Sequence, residues 1–125
     1  MDKGTGVRGE KYAVEFLRNH GYRILERNFR TRFGEIDIIA ADKKYIVFVE
    51  VKTRGDRRIA EPVEWVTREK QKKILSAAAY YLQGYTGNLQ PRFDVAGITL
   101  DSREKLIEVN YVEDAFGGGG GIAFF

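Results

Sequence analysis

Two apolar, strand-like stretches of this 125-residue chain carry charged side chains in positions where a strand is normally apolar. Glu50 and Lys52 stand two residues apart in the run VFVEVK, so period-2 alternation places both on one face of the strand. Asp37 stands in the middle of the run GEIDII, a few residues upstream. Burying an unpaired charge is costly, so chains seldom do it without a use. Two acids and a lysine at one sheet surface predict metal-assisted hydrolysis of phosphodiesters.

The ligand types predict a hard divalent cation. Asp37 and Glu50, on neighbouring antiparallel strands, would share Mg²⁺ or Mn²⁺ with the backbone carbonyl of Val51 and water. A zinc site is disfavoured because the chain has no cysteine and one histidine. Lys52 would orient or deprotonate a water, or neutralise charge on the phosphate. The alternative is a buried lysine–carboxylate pair that only satisfies itself, yet two acids and one lysine leave a net negative charge for a cation to balance.

Three further polar residues are accessory candidates, each with a structural alternative. Glu10 lies on the apolar stripe of a first helix, where it either joins the catalytic group or gains about 0.3–1 kcal/mol from the helix dipole. Glu35 either assists the site or pairs with an arginine. Gln71 either holds the lysine or a phosphate, or is satisfied by backbone. Other residues are expected to be structural: Asp94 pairing with an arginine, His20 at a helix end, and Trp65, Tyr80 and Tyr81 in the core.

The net charge of +3 is unevenly distributed along the chain. Residues 1–86 carry 18 Lys and Arg against 12 Asp and Glu, whereas residues 87–125 carry 3 against 6. The basic residues cluster around the two acid-bearing strands, which favours a nucleic acid partner over ordinary solvated charge. The candidate nucleic-acid contacts are Arg30, Arg32, Arg54, Arg57, Arg58, Lys70 and Lys72.

Periodicity and turn residues predict an α/β sandwich with a central mixed β-sheet flanked by helices. Residues 1–116 should form one domain, followed by a flexible Gly-rich tail, 117–125, whose apolar end either frays or docks on a partner. The chain has no apolar signal core and no stretch long enough to span a bilayer, so we expect a cytoplasmic protein without a membrane partner. The predicted elements are a helix Thr5–Asn19, a strand Tyr22–Arg27, a basic loop Asn28–Phe33, strands Glu35–Ala41 and Tyr45–Thr53, a polar loop Arg54–Arg58, a turn near Pro62, a helix Thr67–Leu82, and strands Phe93–Leu100 and Leu106–Val112.

These motifs together resemble a known family. Gly9-Glu10 on a helix, then GEIDII, then VFVEVKTR, a Lys/Gln-rich helix and RFDV are similar to the bacterial YraN-like family of small uncharacterised proteins. That family is placed in the PD-(D/E)XK nuclease superfamily, near the archaeal Holliday junction resolvases. The resemblance covers about Gly6 to Phe116. The E-x-K element is weak alone but specific in this combination.

The resemblance implies a restriction endonuclease-like three-layer sandwich with Asp37, Glu50 and Lys52 as the catalytic core. Glu10 matches the helical glutamate of the resolvase-like relatives. The implied chemistry is Mg²⁺-dependent cleavage of DNA that leaves a 5′-phosphate. Branched or structured DNA is the expected substrate, and an enzyme of this kind often works as a homodimer. One departure is that Ile36 replaces the proline that usually precedes the first acid. The alternatives are a nucleic-acid-binding module with weak or no catalysis, and a protein adaptor that docks through the tail.

Overall fold

The computed structural model describes residues 3–55 and 66–117. Arg57, Arg58, the turn near Pro62, Trp65 and the tail beyond Gly117 lie outside these ranges. Within them the chain forms two helices and five strands in the predicted order. The elements are α1 Lys3–Asn19, β1 Arg23–Thr31, β2 Gly34–Ala41, β3 Tyr45–Arg54, α2 Arg68–Gln83, β4 Gln90–Leu100 and β5 Leu106–Val112.

The five strands form one mixed sheet in the order β1-β2-β3-β4-β5. The pairs β1–β2, β2–β3 and β4–β5 are antiparallel, whereas β3 and β4 are parallel. A parallel pair needs a crossover between its strands, and α2 lies in that connection. β3, which carries Glu50 and Lys52, is therefore the middle strand of the sheet.

The two helices cover opposite faces of the sheet. Val47 and Val49 of β3 belong to the apolar cluster that includes Leu17 of α1. Ile46 and Phe48 belong to a second cluster, which includes Ile74, Ala77 and Ala78 of α2. Strand alternation therefore places Glu50 and Lys52 on the α2 face. The predicted three-layer α/β sandwich with a central mixed sheet is confirmed.

The segment predicted as a basic loop from Asn28 to Phe33 is mostly strand, so that prediction was wrong. β1 continues to Thr31 and pairs with β2 through Phe29↔Ile36 and Arg30↔Glu35. As β1 is an edge strand, its arginines stay in solvent while its backbone pairs on one side. Only Arg32 and Phe33 form the turn, which the Thr31 hydroxyl closes by accepting from the N–H groups of Phe33 and Gly34.

Helix α2 begins after Thr67, whose hydroxyl accepts a hydrogen bond from the Lys70 N–H. Ile74, Ala77 and Ala78 form its buried stripe, and Tyr81 packs against the same cluster. Tyr80 was expected in the core, but it lies beside this stripe and is 52% exposed. In the described ranges neither helix is long and apolar enough to cross a membrane.

Asp94 of β4 has the structural role that was predicted for it. It is fully buried and accepts from Arg92 Nε and Nη2 at 2.9 and 2.8 Å, from the Tyr111 hydroxyl at 2.6 Å, and from the Asp114 N–H at 2.9 Å. Burial and the Asp94 carboxylate raise the pKa of Tyr111, which keeps this phenol a neutral donor. His20 lies at the end of α1, where Nδ1 donates to the Phe16 carbonyl at 2.8 Å.

Candidate active site

The site forms where strands β2 and β3 separate. Their ladder ends at the pair Ile38↔Val49, and the next pair in that register would be Asp37 and Glu50. The Asp37 side chain bridges the gap, because its Oδ2 accepts a hydrogen bond from the Val51 N–H at 2.8 Å. The separation brings the two predicted acids together at the point where the sheet opens.

Asp37 titrates far from the usual range of a carboxyl group. Burial, followed by repulsion from Glu50, raises the pKa of Asp37 from 3.8 to about 7. The Val51 N–H partly opposes this rise, whereas the charge of Glu10 and a hydrogen bond with Glu50 add to it. Near neutral pH Asp37 is therefore partly protonated, and a cation could replace its proton.

Glu50 is an acid buried without sufficient partners. It is 4% exposed, and the described residues offer Oε1 no hydrogen-bond donor. A protonated Asp37 could supply one, but two ionised carboxylates could not bond to each other. The other oxygen, Oε2, lies 3.6 Å from Lys52 Nζ and 3.6 Å from Lys70 Nζ. These are ion-pair distances, too long for good hydrogen bonds.

Lys70 makes a contact with Glu50 that sequence reasoning did not predict. It was predicted only as a nucleic-acid contact, yet it reaches Glu50 from the first turn of α2. The available signal was its position three residues after the capping Thr67, on a helix that covers the face carrying Glu50. Lys52 and Lys70 thus approach the same carboxylate oxygen from the sheet and from the helix.

Glu10 borders the site but is engaged elsewhere. Its Oε1 accepts from Arg27 Nη2 at 3.0 Å, from Arg27 Nε at 3.2 Å and from Asn28 Nδ2 at 3.2 Å. Since α1 begins at Lys3, Glu10 lies two turns into the helix, beyond the reach of the N-terminal dipole. The charge of Glu10 is nevertheless close enough to raise the pKa of Asp37, so Glu10 lies near the two acids. Its catalytic role stays a prediction.

For the two accessory candidates, the observed contacts are those of their structural alternatives. Glu35 Oε2 lies 3.7 Å from Arg30 Nε, and both side chains are exposed. The Gln71 amide donates to the Val66 carbonyl at 3.0 Å. Of the predicted nucleic-acid contacts on described residues besides Lys70, the side chains Arg30, Arg32, Arg54 and Lys72 are all exposed.

The donor set fits a cation that protein and substrate would hold together. Within residues 3–55 and 66–117, no three His, Asp or Glu side chains are arranged to hold a metal ion. Mg²⁺, however, commonly takes one or two carboxylates and completes its shell with water and substrate phosphate. The unpartnered Oε1 of Glu50 and the raised pKa of Asp37 indicate the excess negative charge that such an ion would neutralise.

Comparison with known proteins places the chain in a family. The model of the uncharacterised protein family UPF0102 matches residues 9–98. The chain belongs to the UPF0102 family. This is the YraN family that the motifs predicted, and the matched range contains Glu10, Asp37, Glu50, Lys52 and Lys70.

Individual relatives match nearly the whole chain. A UPF0102 protein of Caldicellulosiruptor bescii is 45% identical over 116 residues, which are 91% of this chain and 98% of the relative. One from Caldicellulosiruptor saccharolyticus is 42% identical over 112 residues, covering 89% and 95%. One from Clostridium botulinum is 43% identical over 117 residues, covering 92% and 95%. The chain and these relatives are therefore similar along their full domain.

Proposed function

We propose that this protein is a metal-dependent endonuclease that hydrolyses DNA phosphodiester bonds, particularly in branched or structured DNA. The observation that carries the proposal is the Asp37–Glu50 pair. Two adjacent carboxyl groups, one of them almost fully buried and with an unpartnered oxygen among the described residues, destabilise a fold. A perturbed pair of this kind at an opening in a sheet is typical of a functional site. Membership in a family of the PD-(D/E)XK kind supports the same chemistry.

The two acids would hold Mg²⁺ or Mn²⁺ through Asp37, Glu50 and the Val51 carbonyl. Such an ion, when bound, polarises the scissile phosphate and makes a bound water more acidic. The Asp37 side chain is already held in position, because its Oδ2 accepts a hydrogen bond from the Val51 N–H, which leaves Oδ1 for the ion. Glu50 is held between two ammonium groups, which keep its Oε2 oriented and leave Oε1 available.

The two lysines would act on the phosphate. Lys52 and Lys70 each lie 3.6 Å from Glu50 Oε2, so a phosphate bound at the acids would come within reach of both ammonium groups. Their N–H groups would donate to its non-bridging oxygens and stabilise the charge that develops during hydrolysis. The exposed basic side chains of Arg54 and Lys72 would contact the neighbouring backbone phosphates. Cutting both strands of a duplex would take two such sites, so a homodimer is the expected assembly.

A panel of DNA structures tests the proposal. Purified protein is incubated with Mg²⁺ or Mn²⁺ and with duplex, single-stranded, flap and four-way DNA; we expect cleavage of at least one. Asp37→Ala and Lys52→Ala should abolish it, whereas Glu15→Gln, an exposed acid on α1, should not. If the wild-type protein leaves every substrate uncut, the proposal fails. If cleavage survives both alanine substitutions, the site is wrongly assigned.

One observation favours a second candidate, a DNA-binding module without catalysis. In the described part of the chain only two acids converge with lysines, and no three-ligand metal cluster is formed. Binding alone would need the basic surface but neither acid. The two candidates separate on the wild-type protein with Mg²⁺: a binding module should bind DNA and leave it intact, and Asp37→Asn should not weaken that binding, whereas a nuclease should cut the DNA and lose cleavage on the same substitution.

A further inference from the structure

Two exposed aromatic side chains lie beside the site and have no part in the proposed catalysis. Phe33, in the β1–β2 turn, is 42% exposed, and Tyr80, on α2, is 52% exposed. Their ring centroids are 6.1 Å apart and their planes are tilted by 54°. We call these two residues, with Arg30 and Arg32, the aromatic platform. Large aromatic rings are usually buried, so two neighbouring exposed rings suggest a ligand.

The platform is held in place by backbone packing. A Cβ atom at Gly34 would lie 2.8 Å from the Lys73 carbonyl, which means that the turn is pressed directly against α2. The Thr31 hydroxyl also accepts from the N–H groups of Phe33 and Gly34. The β1–β2 turn and α2, which carry the two rings and lie far apart in sequence, are therefore packed directly against each other, so both rings border one surface.

The surface is both aromatic and cationic. The Arg32 guanidinium carbon lies 5.0 Å from the centroid of the Phe33 ring. Phe33, Tyr80 and the two arginines line a cleft of about 620 Å³ together with Thr31 and Gln83. Aromatic rings and guanidinium planes among positive charges are the features on which unpaired nucleobases stack.

A second cleft extends from the platform to Lys70. This cleft, of about 370 Å³, shares Thr31, Arg32 and Phe33 with the first and extends to Lys70. Lys70 in turn lies 3.6 Å from Glu50 Oε2. A strand whose bases lie on the platform could therefore place its phosphates along this cleft toward the acids.

We infer that the aromatic platform binds unpaired bases of the DNA strand that the site cleaves, so that the preferred substrate contains single-stranded nucleotides next to the scissile phosphate. The inference rests on the proposed function. Inside a duplex both faces of each base are stacked on neighbouring bases, so the exposed rings have no free base face to contact. A tail, a flap or an opened junction offers free base faces.

The test measures binding in EDTA, so that it does not depend on cleavage. Fluorescence anisotropy compares a blunt duplex with the same duplex carrying a single-stranded tail. Phe33→Leu and Tyr80→Leu keep an apolar side chain but remove the ring, and each should weaken binding of the tailed DNA about five- to twentyfold. Binding of the blunt duplex should change less than about twofold. Tyr80→Phe, which keeps the ring, should bind as the wild type does, as should Ile107→Ala at an exposed site on β5.

A second readout detects stacking directly. With 2-aminopurine in the tail, binding of the wild type should quench its fluorescence, and both leucine variants should lose the quenching. The inference is overturned if the leucine variants bind tailed DNA normally, or if they weaken both DNAs equally. If the leucine variants lose tail binding but the wild type cuts no DNA, the platform stands and the nuclease proposal fails. If the wild type cuts DNA but the leucine variants bind the tail normally, the nuclease proposal stands and the platform fails.

Discussion

Replacing Asp37 with asparagine should stabilise the metal-free protein at neutral pH. Burial, with repulsion from Glu50, raises the pKa of Asp37 to about 7, so its ionised form is unfavourable in the folded state. Asparagine is neutral at every pH. Its Oδ1 can still accept from the Val51 N–H, and its amide can donate to Glu50 Oε1, which finds no donor among the described residues. Asparagine at this position thus offers the same hydrogen-bond acceptor and donor as the protonated aspartic acid, and it carries no charge.

The magnitude follows from the pKa of Asp37 in the two states. It rises from 3.8 in the unfolded chain to about 7 in the folded protein, and each unit corresponds to about 1.4 kcal/mol. Between these values the folded state keeps a proton that the unfolded state releases, so wild-type stability falls as the pH rises. The full loss is about 4 kcal/mol, of which about 2–3 kcal/mol falls between pH 5 and 8.

Urea unfolding followed by circular dichroism, in EDTA at pH 5 and pH 8, measures this difference. The free energy of unfolding of Asp37→Asn relative to the wild type should increase by about 2–3 kcal/mol from pH 5 to pH 8. Asp42→Asn is the control: burial would raise the pKa of Asp42, but the N–H groups of Tyr45 and Lys44 lower it overall from 3.8. Its charge therefore stabilises the fold throughout this range, and the effect of the substitution should not change between pH 5 and pH 8. The reasoning would be refuted if the difference in the free energy of unfolding between Asp37→Asn and the wild type were independent of pH or shrank toward pH 8.

Three other substitutions have defined expectations. Lys70→Met should slow single-turnover DNA cleavage by about tenfold or more, because one ammonium group beside Glu50 is lost. Lys43→Met, in the distant β2–β3 turn, should not slow it. Equal cleavage rates for the two variants would show that Lys70 has no part in the site. Asp94→Ala should lower the free energy of unfolding, measured in urea, by about 3–5 kcal/mol, since it leaves the buried Arg92 with only an exposed acid, Glu113 at 3.8 Å; a loss below about 1 kcal/mol would contradict this. Lys72→Ala should weaken DNA binding and reduce the slope of log K against log salt by about 1, and an unchanged slope would count against a phosphate contact.

The two acids of the candidate site could be predicted from sequence because their placement is local. Strand alternation alone puts Glu50 and Lys52 on one face, and a three-residue turn between β2 and β3 brings Asp37 opposite them. The same local reasoning identified Asp94, since it stands two residues from its arginine partner. Short-range patterns of this kind do not depend on how distant elements pack.

The contacts that the sequence did not predict depend on tertiary packing. Lys70 reaches Glu50 only because α2 crosses the sheet at that point, and Arg27 reaches Glu10 only because β1 runs beside α1. The extension of β1 was missed because exposed arginines on an edge strand have the composition of a loop. The exposure of Tyr80 was likewise decided by which face of α2 packs on the sheet.

The most direct test of the central claim compares the wild-type protein with Glu50→Gln in a DNA cleavage assay with Mg²⁺ or Mn²⁺. Glutamine keeps the size of the buried side chain and removes the charge that would hold the cation, while Glu15→Gln controls for the loss of an exposed acid. We predict that the wild type and Glu15→Gln cut at least one structured DNA and that Glu50→Gln is at least about a hundredfold slower. A folded wild-type protein that cuts none of the substrates, or a Glu50→Gln variant that cuts as fast as the wild type, would contradict the account.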